Sequence, residues 1–373
     1  MNSQDRLPAR LTTPSLADLG WNPQRAAHYA AHAAAGTVPG RVARVDRGLC
    51  DVLLADPVDP NAATRTVRAD WSAFNGPDPI NNPCTGDWCV VDLGDPSAPV
   101  LRALLPRHTA VVRGATGERS DGQVLAANVD HVLITVSLAA KSDVGRIERL
   151  LALAWESGAQ PVVVLTKADA GYDPERILDV EAAAPGATVL AVSALTGEGM
   201  DVLGALLAGG SAALIGQSGV GKSTLTNALV GAEVMATGGT RETDEKGRHT
   251  TTTRELIPLP GGGVLIDTPG LRGVGLFGGE AGLAQTFSDI EEFAEQCRFA
   301  DCAHESEPGC AVLAAVADGE LPERRLASYR KLLRENEWIA SRTDARLAAE
   351  RRQVWKQRSR DAAGAVRPDR HRR

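Results

Sequence analysis

The segment GQSGVGKST, residues 216–224, has the residue types and spacing of a phosphate-binding loop. Gly216, Gly221, Lys222 and Ser223 fit the pattern G-x-x-x-x-G-K-[ST]. Glycines let the backbone curl so that its N–H groups face phosphate oxygens, and the helix that follows directs its positive end at the same anions. We expect Lys222 to reach the β- and γ-phosphates and Ser223 to ligate Mg²⁺. The other loop residues expected to contact the nucleotide are Gln217, Ser218, Gly219, Val220 and Thr224.

A second polar segment, TKAD at residues 166–169, ends an apolar run and indicates which base is bound. The Asp169 carboxylate can accept hydrogen bonds from guanine N1–H and its exocyclic amine, whereas adenine offers no matching donor pair. Lys167 would lie along the base and brace the phosphate loop, and Thr166 and Ala168 complete the segment. SAL at residues 193–195 follows another apolar run, and there the Ala194 N–H could meet guanine O6 beside Ser193. Two such segments at strand ends favour GTP, although TKAD alone is also compatible with an ordinary polar turn.

IDTPG at residues 266–270 supplies the expected contacts to the metal and the γ-phosphate. Asp267 is predicted to hold Mg²⁺ through water, and the Gly270 N–H is predicted to contact the γ-phosphate. Between this segment and the phosphate loop lies GRHTTTTRE, in which Thr251, with Thr250 as the alternative, is predicted to complete the Mg²⁺ shell. That loop is expected to become ordered by the nucleotide.

Leu271 occupies the position at which Ras-like enzymes carry a water-orienting glutamine, and an aliphatic side chain cannot orient water. His249, beside the threonines, is the candidate catalytic residue because imidazole can orient or deprotonate water near neutral pH. The alternative is an ordinary solvent-exposed loop histidine.

The segment CRFADCAHESEPGC contains four potential metal ligands within fourteen residues. Three thiolates and one imidazole form a closed tetrahedral set typical of structural zinc, since no coordination position is left for water. The alternative is a set of free thiols in a helical region. The predicted ligands are Cys297, Cys302, His304 and Cys310.

The elements that must position these residues change character along the chain. Short β-rich runs separated by turn residues predict a small closed barrel, and from about residue 107 continuous apolar runs alternate with amphipathic helices, as in a parallel sheet covered on both faces. The base-reading segments precede the phosphate loop, which is a circular permutation of the usual GTPase order. The predicted units are an N-terminal extension (1–37), the barrel (38–106), the permuted GTPase domain (107–277), a helical zinc domain (278–344) and a basic tail (345–373).

Composition limits the classes of partner. The 373-residue chain has a net charge of −7, which argues against indiscriminate nucleic-acid binding, but residues 345–373 carry ten Arg or Lys against three Asp or Glu. This tail either contacts RNA or is a solvated extension. No apolar run approaches a membrane span and the N-terminus lacks a signal-peptide pattern, so we expect a cytoplasmic protein without membrane contact. We also expect the protein to be a monomer.

Taken in order, these motifs resemble the ribosome small-subunit-dependent GTPase A family over about residues 38–340. The resemblance rests on AANVDHVLI, TKAD, GQSGVGKSTL, GRHTTTT, IDTPGLR and FADCAHESEPGCAV. It implies an N-terminal OB-fold barrel, a permuted GTPase domain and a C-terminal zinc domain. It also implies GTP hydrolysis stimulated by the small ribosomal subunit, with GTP, GDP and that subunit's rRNA as ligands, and a role in late subunit maturation.

The family's zinc ligands map onto the four Cys and His residues above, and its proposed catalytic histidine maps onto His249. One departure is Thr166, where the family usually has Asn. Losing the amide that ties neighbouring loops is expected to lower guanine affinity somewhat, while specificity rests on Asp169. The competing interpretations are a metabolic P-loop kinase or ATPase, and a zinc-stapled RNA-binding module whose nucleotide site is mainly a structural switch.

Overall fold

The computed structural model describes residues 13–343, except 56–58, 60–61, 75, 77, 115–121, 141–142, 172, 236–253, 269 and 271–274. After a short helix, α1 (Pro23–Ala30), the first part is made of β-strands. The strands are β1 (Thr37–Val45), β2 (Leu49–Leu54), β3 (Arg65–Asp70), β4 (Trp88–Asp92) and β5 (Val100–Leu104).

Strand pairing in this first part follows the alternation of apolar residues. β1 pairs antiparallel with both β2 and β4, β2 with β3, and β4 with β5, while β3 and β5 pair in parallel at Asp70 and Val100. One face of these strands encloses an apolar core that includes Val42, Val52 and Val91. A separate hairpin, β6 (Ala110–Gly114) with β7 (Gly122–Ala127), follows.

The central part is a parallel sheet, as the apolar runs predict. Its strands pair in the order β10-β9-β8-β11-β13-β12, all parallel except that β12 is antiparallel to β13. The strands are β8 (His131–Ser137), β9 (Gln160–Thr166), β10 (Thr188–Ala191), β11 (Ser211–Gly216), β12 (Glu255–Pro258) and β13 (Val264–Asp267). The connecting helices are α2 (Val144–Glu156), α3 (Pro174–Ala183), α4 (Met200–Leu207) and α5 (Lys222–Val230).

The two sheets are continuous, because β1 pairs with β12 at Arg44 and Glu255. Arg41 fills the junction with a fully buried guanidinium, which donates to the Asn128 carbonyl at 2.9 Å and the Ser211 hydroxyl at 2.9 Å. Burial lowers the pKa of Arg41 to about 9. The hydrogen bonds of this buried guanidinium therefore connect the first part of the chain with the central part.

The last described part is helical. It contains α6 (Glu280–Thr286), α7 (Ser288–Ala294), α8 (Ala311–Ala317) and α9 (Glu323–Thr343). α6 packs directly on α2, since a Cβ at Gly282 would lie 2.2 Å from the Ala152 carbonyl oxygen. The buried Arg325 of α9 pairs with Glu148 of α2 at 3.0 Å and with Asp289 of α7 at 2.5 Å. Among the described residues, no helix has the length and apolarity needed to cross a bilayer.

Candidate nucleotide site and Cys-His cluster

The phosphate loop runs from the end of β11 to the start of α5, with the backbone that the glycine pattern predicts. At Gly216, φ is +156° and a Cβ would lie 2.2 Å from Thr135 Oγ1. At Gly221, φ is +100°, in the region that L-residues rarely adopt. Gln217, Ser218, Gly219 and Thr224 are exposed, and Val220 and Ser223 are half-buried. The loop is thus an open cradle at the carboxyl edge of the sheet.

Lys222 folds back over this cradle. Its ammonium donates to the carbonyls of Gly216 at 3.1 Å and Gln217 at 2.6 Å, and the residue is 9% exposed. Burial lowers the pKa of Lys222, and the charge of Asp267 opposes that shift. A phosphate oxygen would offer this buried ammonium a charged partner in place of neutral carbonyls.

Asp267 ends β13 on the same edge and is an incompletely satisfied carboxylate. The residue is 9% exposed, and its Oδ1 has no hydrogen-bond partner. Burial raises the pKa of Asp267 to about 6, while Lys222 and a backbone bond from Thr268 act in the opposite direction. A buried oxygen without a partner is costly, and a hard cation such as Mg²⁺ satisfies it.

The TKAD segment contacts the phosphate loop although more than fifty residues separate them in sequence. The Thr166 hydroxyl lies 2.5 Å from the Val220 carbonyl and 3.2 Å from that of Val136. The Lys167 ammonium donates to the Gly219 carbonyl at 3.1 Å. The hydroxyl of Thr166 therefore links β9 to the phosphate loop even without the amide of the usual Asn.

Asp169 and Ser193 bring the ends of β9 and β10 together. The Ser193 hydroxyl donates to Asp169 Oδ1 at 2.6 Å and accepts from the Thr196 N–H at 3.1 Å. Ser193 is buried and Asp169 is exposed. The hydroxyl therefore holds the carboxylate from its protein side, and the carboxylate also faces solvent. Ala168 is buried and Ala194 is half-buried beside this pair.

Gly270 is the last predicted site residue in the described part of this edge. A Cβ there would lie 2.9 Å from the Ser218 backbone nitrogen, so its backbone lies against the phosphate loop. His249, Thr250, Thr251 and Leu271 lie outside the described residues. The other predicted nucleotide and Mg²⁺ residues lie along one edge of the parallel sheet.

The Cys-His cluster is formed by a short loop between α7 and α8. The ligand atoms of Cys297, Cys302, His304 and Cys310 all lie within 4.8 Å of one another. Cys310 Sγ is 3.8 Å from Cys297 Sγ and 3.4 Å from His304 Nδ1. A tetrahedral ion with Zn–S bonds of about 2.3 Å has edges of about 3.8 Å, so this arrangement fits zinc. None of the six cysteines, all of which the structure describes, forms a disulfide bond.

Comparison with known proteins agrees with this geometry. The RsgA GTPase family model matches residues 104–277. Small ribosomal subunit biogenesis GTPase RsgA of Streptomyces coelicolor is 58% identical over 92% of this chain and 93% of that protein. The chain belongs to the RsgA GTPase family. It is accordingly a GTP-hydrolysing enzyme. A relative of the same name from Methanosarcina acetivorans is 40% identical over 85% of this chain and 84% of its own.

Two solved structures have a fold similar to that of this chain. The crystal structure of YjeQ from Thermotoga maritima has a TM-score of 0.56 and 25% identity, and covers 80% of this chain and 98% of its own. YloQ, whose structure is described as a circularly permuted GTPase, has a TM-score of 0.55 and covers 82% of this chain and 96% of its own. The permuted GTPase fold predicted from motif order is therefore confirmed for this RsgA family member.

Sequence reasoning missed one residue at the phosphate loop of this GTPase. Arg146, in the first turn of α2, approaches the side chain of Gln217. α2 follows β8, so its N-terminus lies at the carboxyl edge where ligands bind in parallel sheets. That position is the signal that could have singled out Arg146 from the sequence.

Proposed function

We propose that this RsgA family GTPase binds the small ribosomal subunit, assists its late maturation, and hydrolyses GTP faster when bound to it. The names of its relatives support the subunit as partner, since they are called small ribosomal subunit biogenesis GTPases. Cytoplasmic location and contact with the subunit's rRNA follow from that partner. The observation that carries the GTP assignment is the direct bonding of TKAD to the phosphate loop.

In the proposed complex, guanine is recognised by Asp169, with Lys167 along the base and the Ala194 N–H facing O6. The backbone of residues 216–224 and the Lys222 ammonium hold the phosphates. Support comes from the hydrogen bond that orients the Asp169 carboxylate and from the buried ammonium over the cradle. Gly270 is assigned to the γ-phosphate because its backbone abuts Ser218.

Magnesium is assigned to Ser223, Thr251 and Asp267. The fit rests on Asp267, whose buried Oδ1 lacks a hydrogen-bond partner. When bound with GTP, the ion would offset negative charge on the phosphate oxygens. Because Leu271 cannot orient water, His249 is proposed to orient the attacking water.

One structural zinc ion is assigned to Cys297, Cys302, His304 and Cys310. The distances among their ligand atoms support a closed tetrahedral site. Such an ion would fix the loop that carries these four residues between α7 and α8. We propose 278–344 as this unit and 107–277 as the GTPase domain, which the family match over 104–277 supports.

Residues 38–106 are proposed to form an OB-type barrel. Support comes from β1, which pairs with both β2 and β4, and from the parallel pairing of β3 with β5.

The basic tail over 345–373 is proposed to contact rRNA through its Arg side chains. The protein is also proposed to be a monomer.

The decisive experiment measures GTP turnover by the purified protein alone, with small ribosomal subunits, and with large subunits as control. Stimulation by small subunits only is the expected result. Lys222→Ala serves as the matched variant, because it removes a phosphate contact and should abolish the stimulated rate. Equal turnover with either subunit would contradict the proposal, and unstimulated turnover with tight subunit binding would favour the RNA-binding alternative.

A further inference from the structure

The first turn of α2 is joined to the phosphate loop by a side-chain contact. With the Gln217 amide oriented so that its oxygen faces α2, that oxygen accepts from Arg146 Nε at 3.2 Å and from Nη1 at 3.1 Å. Arg146 is half-buried, and its backbone N–H is capped by the side chain of Asp143 at 3.1 Å. A guanidinium that offers two N–H groups to one acceptor holds that acceptor more firmly than a single bond would.

Gln217 is contacted by two cationic side chains. Its backbone carbonyl accepts from the Lys222 ammonium at 2.6 Å, and its side-chain amide faces the Arg146 guanidinium. The two cations therefore converge on one residue of the phosphate loop. A phosphate oxygen bound there would have both positive charges nearby.

The part of the loop that Arg146 holds is the part nearest Gly270. Gln217 precedes Ser218, and the Ser218 backbone is the group against which Gly270 lies. Gly270 is the residue assigned to the γ-phosphate under the proposed function. A contact that fixes Gln217 therefore acts on the γ-phosphate end of the loop more than on the end that receives the α- and β-phosphates.

We propose that Arg146 is a positioning residue of the GTP site, which holds Gln217 so that the phosphate loop accepts the γ-phosphate. This inference rests on the proposed assignment of the nucleotide site and adds a residue to it. It implies that Arg146 favours GTP over GDP, because only GTP fills the part of the cradle that this contact organises.

The helical C-terminal part fixes the orientation of the helix that carries Arg146. Glu148 is fully buried and accepts from Arg324 and Arg325 of α9, each at 3.0 Å. Farther along α2, Arg149 pairs with Glu335 of α9, and the Glu156 carboxylate accepts from the Gly282 N–H at 2.8 Å. Because α2 is a rigid element, a shift of α9 against the sheet would also move Arg146 relative to Gln217.

The test measures the affinity of full-length protein for fluorescent GTP and GDP analogues in Mg²⁺. For Arg146→Ala, GTP affinity should fall about fivefold, because a charge-assisted bond of a half-exposed group is lost, and GDP affinity should fall less than about twofold. Arg146→Lys should give an intermediate GTP affinity, since a lysine cannot present the same fork. Gln217→Ala should resemble Arg146→Ala, and the double variant should be no weaker than Arg146→Ala alone.

The matched control is Arg113→Ala, which removes a half-buried arginine that donates to the side chain of Gln123 in the β6–β7 hairpin instead of to the phosphate loop. It should leave the ratio of GTP to GDP affinity unchanged. The inference is overturned by additive losses in the double variant, by equal losses for GTP and GDP, or by the same ratio in Arg113→Ala as in Arg146→Ala. Wild type that binds no guanine nucleotide would defeat the proposed function, whereas tight wild-type binding with an unaffected Arg146→Ala would defeat this inference alone.

Discussion

The candidate GTP site and the Cys-His cluster are assembled in opposite ways. The GTP site draws its described residues from strand ends spread between Thr166 and Gly270, and the pairing of parallel strands brings them together. The cluster takes all its ligands from Cys297 to Cys310, and one loop brings them together. In the cluster the left-handed backbone of His304, with φ of +56°, helps to turn the chain back on itself.

This difference explains how the permuted order of motifs is tolerated. A site held by strand pairing depends on which strands are neighbours, and β11 lies between β8 and β13 whatever their order in the chain. A site held by a loop moves as one segment. The two sites should therefore respond separately to substitutions, and four experiments test whether they do.

The largest effect is expected from Lys222→Ala. Removal of the buried ammonium over the phosphate loop should lower GTP turnover by about a thousandfold, because in the proposed complex its charge would stabilise the transferring phosphoryl group. Phosphate release in the presence of small subunits measures this effect. Zinc content should stay at one ion per chain, and a parallel loss of zinc would show that the two sites are not separate.

A smaller effect, on base selection, is expected from Asp169→Asn. GTP affinity should fall about a hundredfold while xanthosine triphosphate gains, since the amide donates where the carboxylate accepted. Competition binding measures both affinities. Asp179→Asn, an exposed carboxylate on α3, is the control and should behave as wild type. Unchanged base preference in Asp169→Asn would remove this residue from guanine recognition.

The cluster is probed by Cys297→Ser. Loss of one thiolate should release the zinc ion and lower the free energy of unfolding of the C-terminal helices by several kcal/mol, roughly 3 or more. Metal analysis and limited proteolysis measure these changes. Cys84→Ala, outside the cluster, should keep the ion. GTP affinity should change by less than about threefold, and a larger loss would mean that the sheet-held site needs the loop-held one.

The smallest effect is expected on the free energy of unfolding of Asp267→Asn, measured in protein free of nucleotide and Mg²⁺. Burial raises the pKa of Asp267 to about 6 from the usual 3.8, so the folded state holds the proton more tightly than the unfolded state does. Protonation of Asp267 therefore stabilises the folded state. This contribution to the free energy of unfolding is fully present below pH 4 and is lost as the pH rises through 6.

Asp267→Asn should therefore stabilise the protein more at pH 7.5 than at pH 5, by about 1 kcal/mol, because the amide carries no charge to desolvate. Urea unfolding at both pH values gives the difference. The variant should also hydrolyse GTP poorly. Stabilisation that is equal at the two pH values would contradict the assigned pKa shift.

Much of this architecture was predictable because the residues involved leave local patterns. Continuous apolar runs predicted β8, β9 and β11, since strands buried on both faces of a parallel sheet cannot alternate in polarity. Two local patterns predicted the two sites. They are the glycines at positions 216 and 221 and the spacing of the Cys and His residues from position 297 onwards. Each pattern expresses a requirement of nearby backbone or ligand geometry.

The contacts between segments that are distant in the chain are visible only in the folded structure. No pattern near Thr166 indicates that its hydroxyl bonds the phosphate loop. The position of Arg146 at the start of α2 predicts only that it lies at the carboxyl edge of the sheet, and its contact with Gln217 is seen in the structure alone. The buried Arg41 looks like an ordinary strand residue until three parts of the chain close around it. The motifs, their permuted order and the four clustered Cys and His residues can be identified from the sequence alone. The tertiary structure determined these contacts, because they depend on the relative placement of elements that share no local sequence.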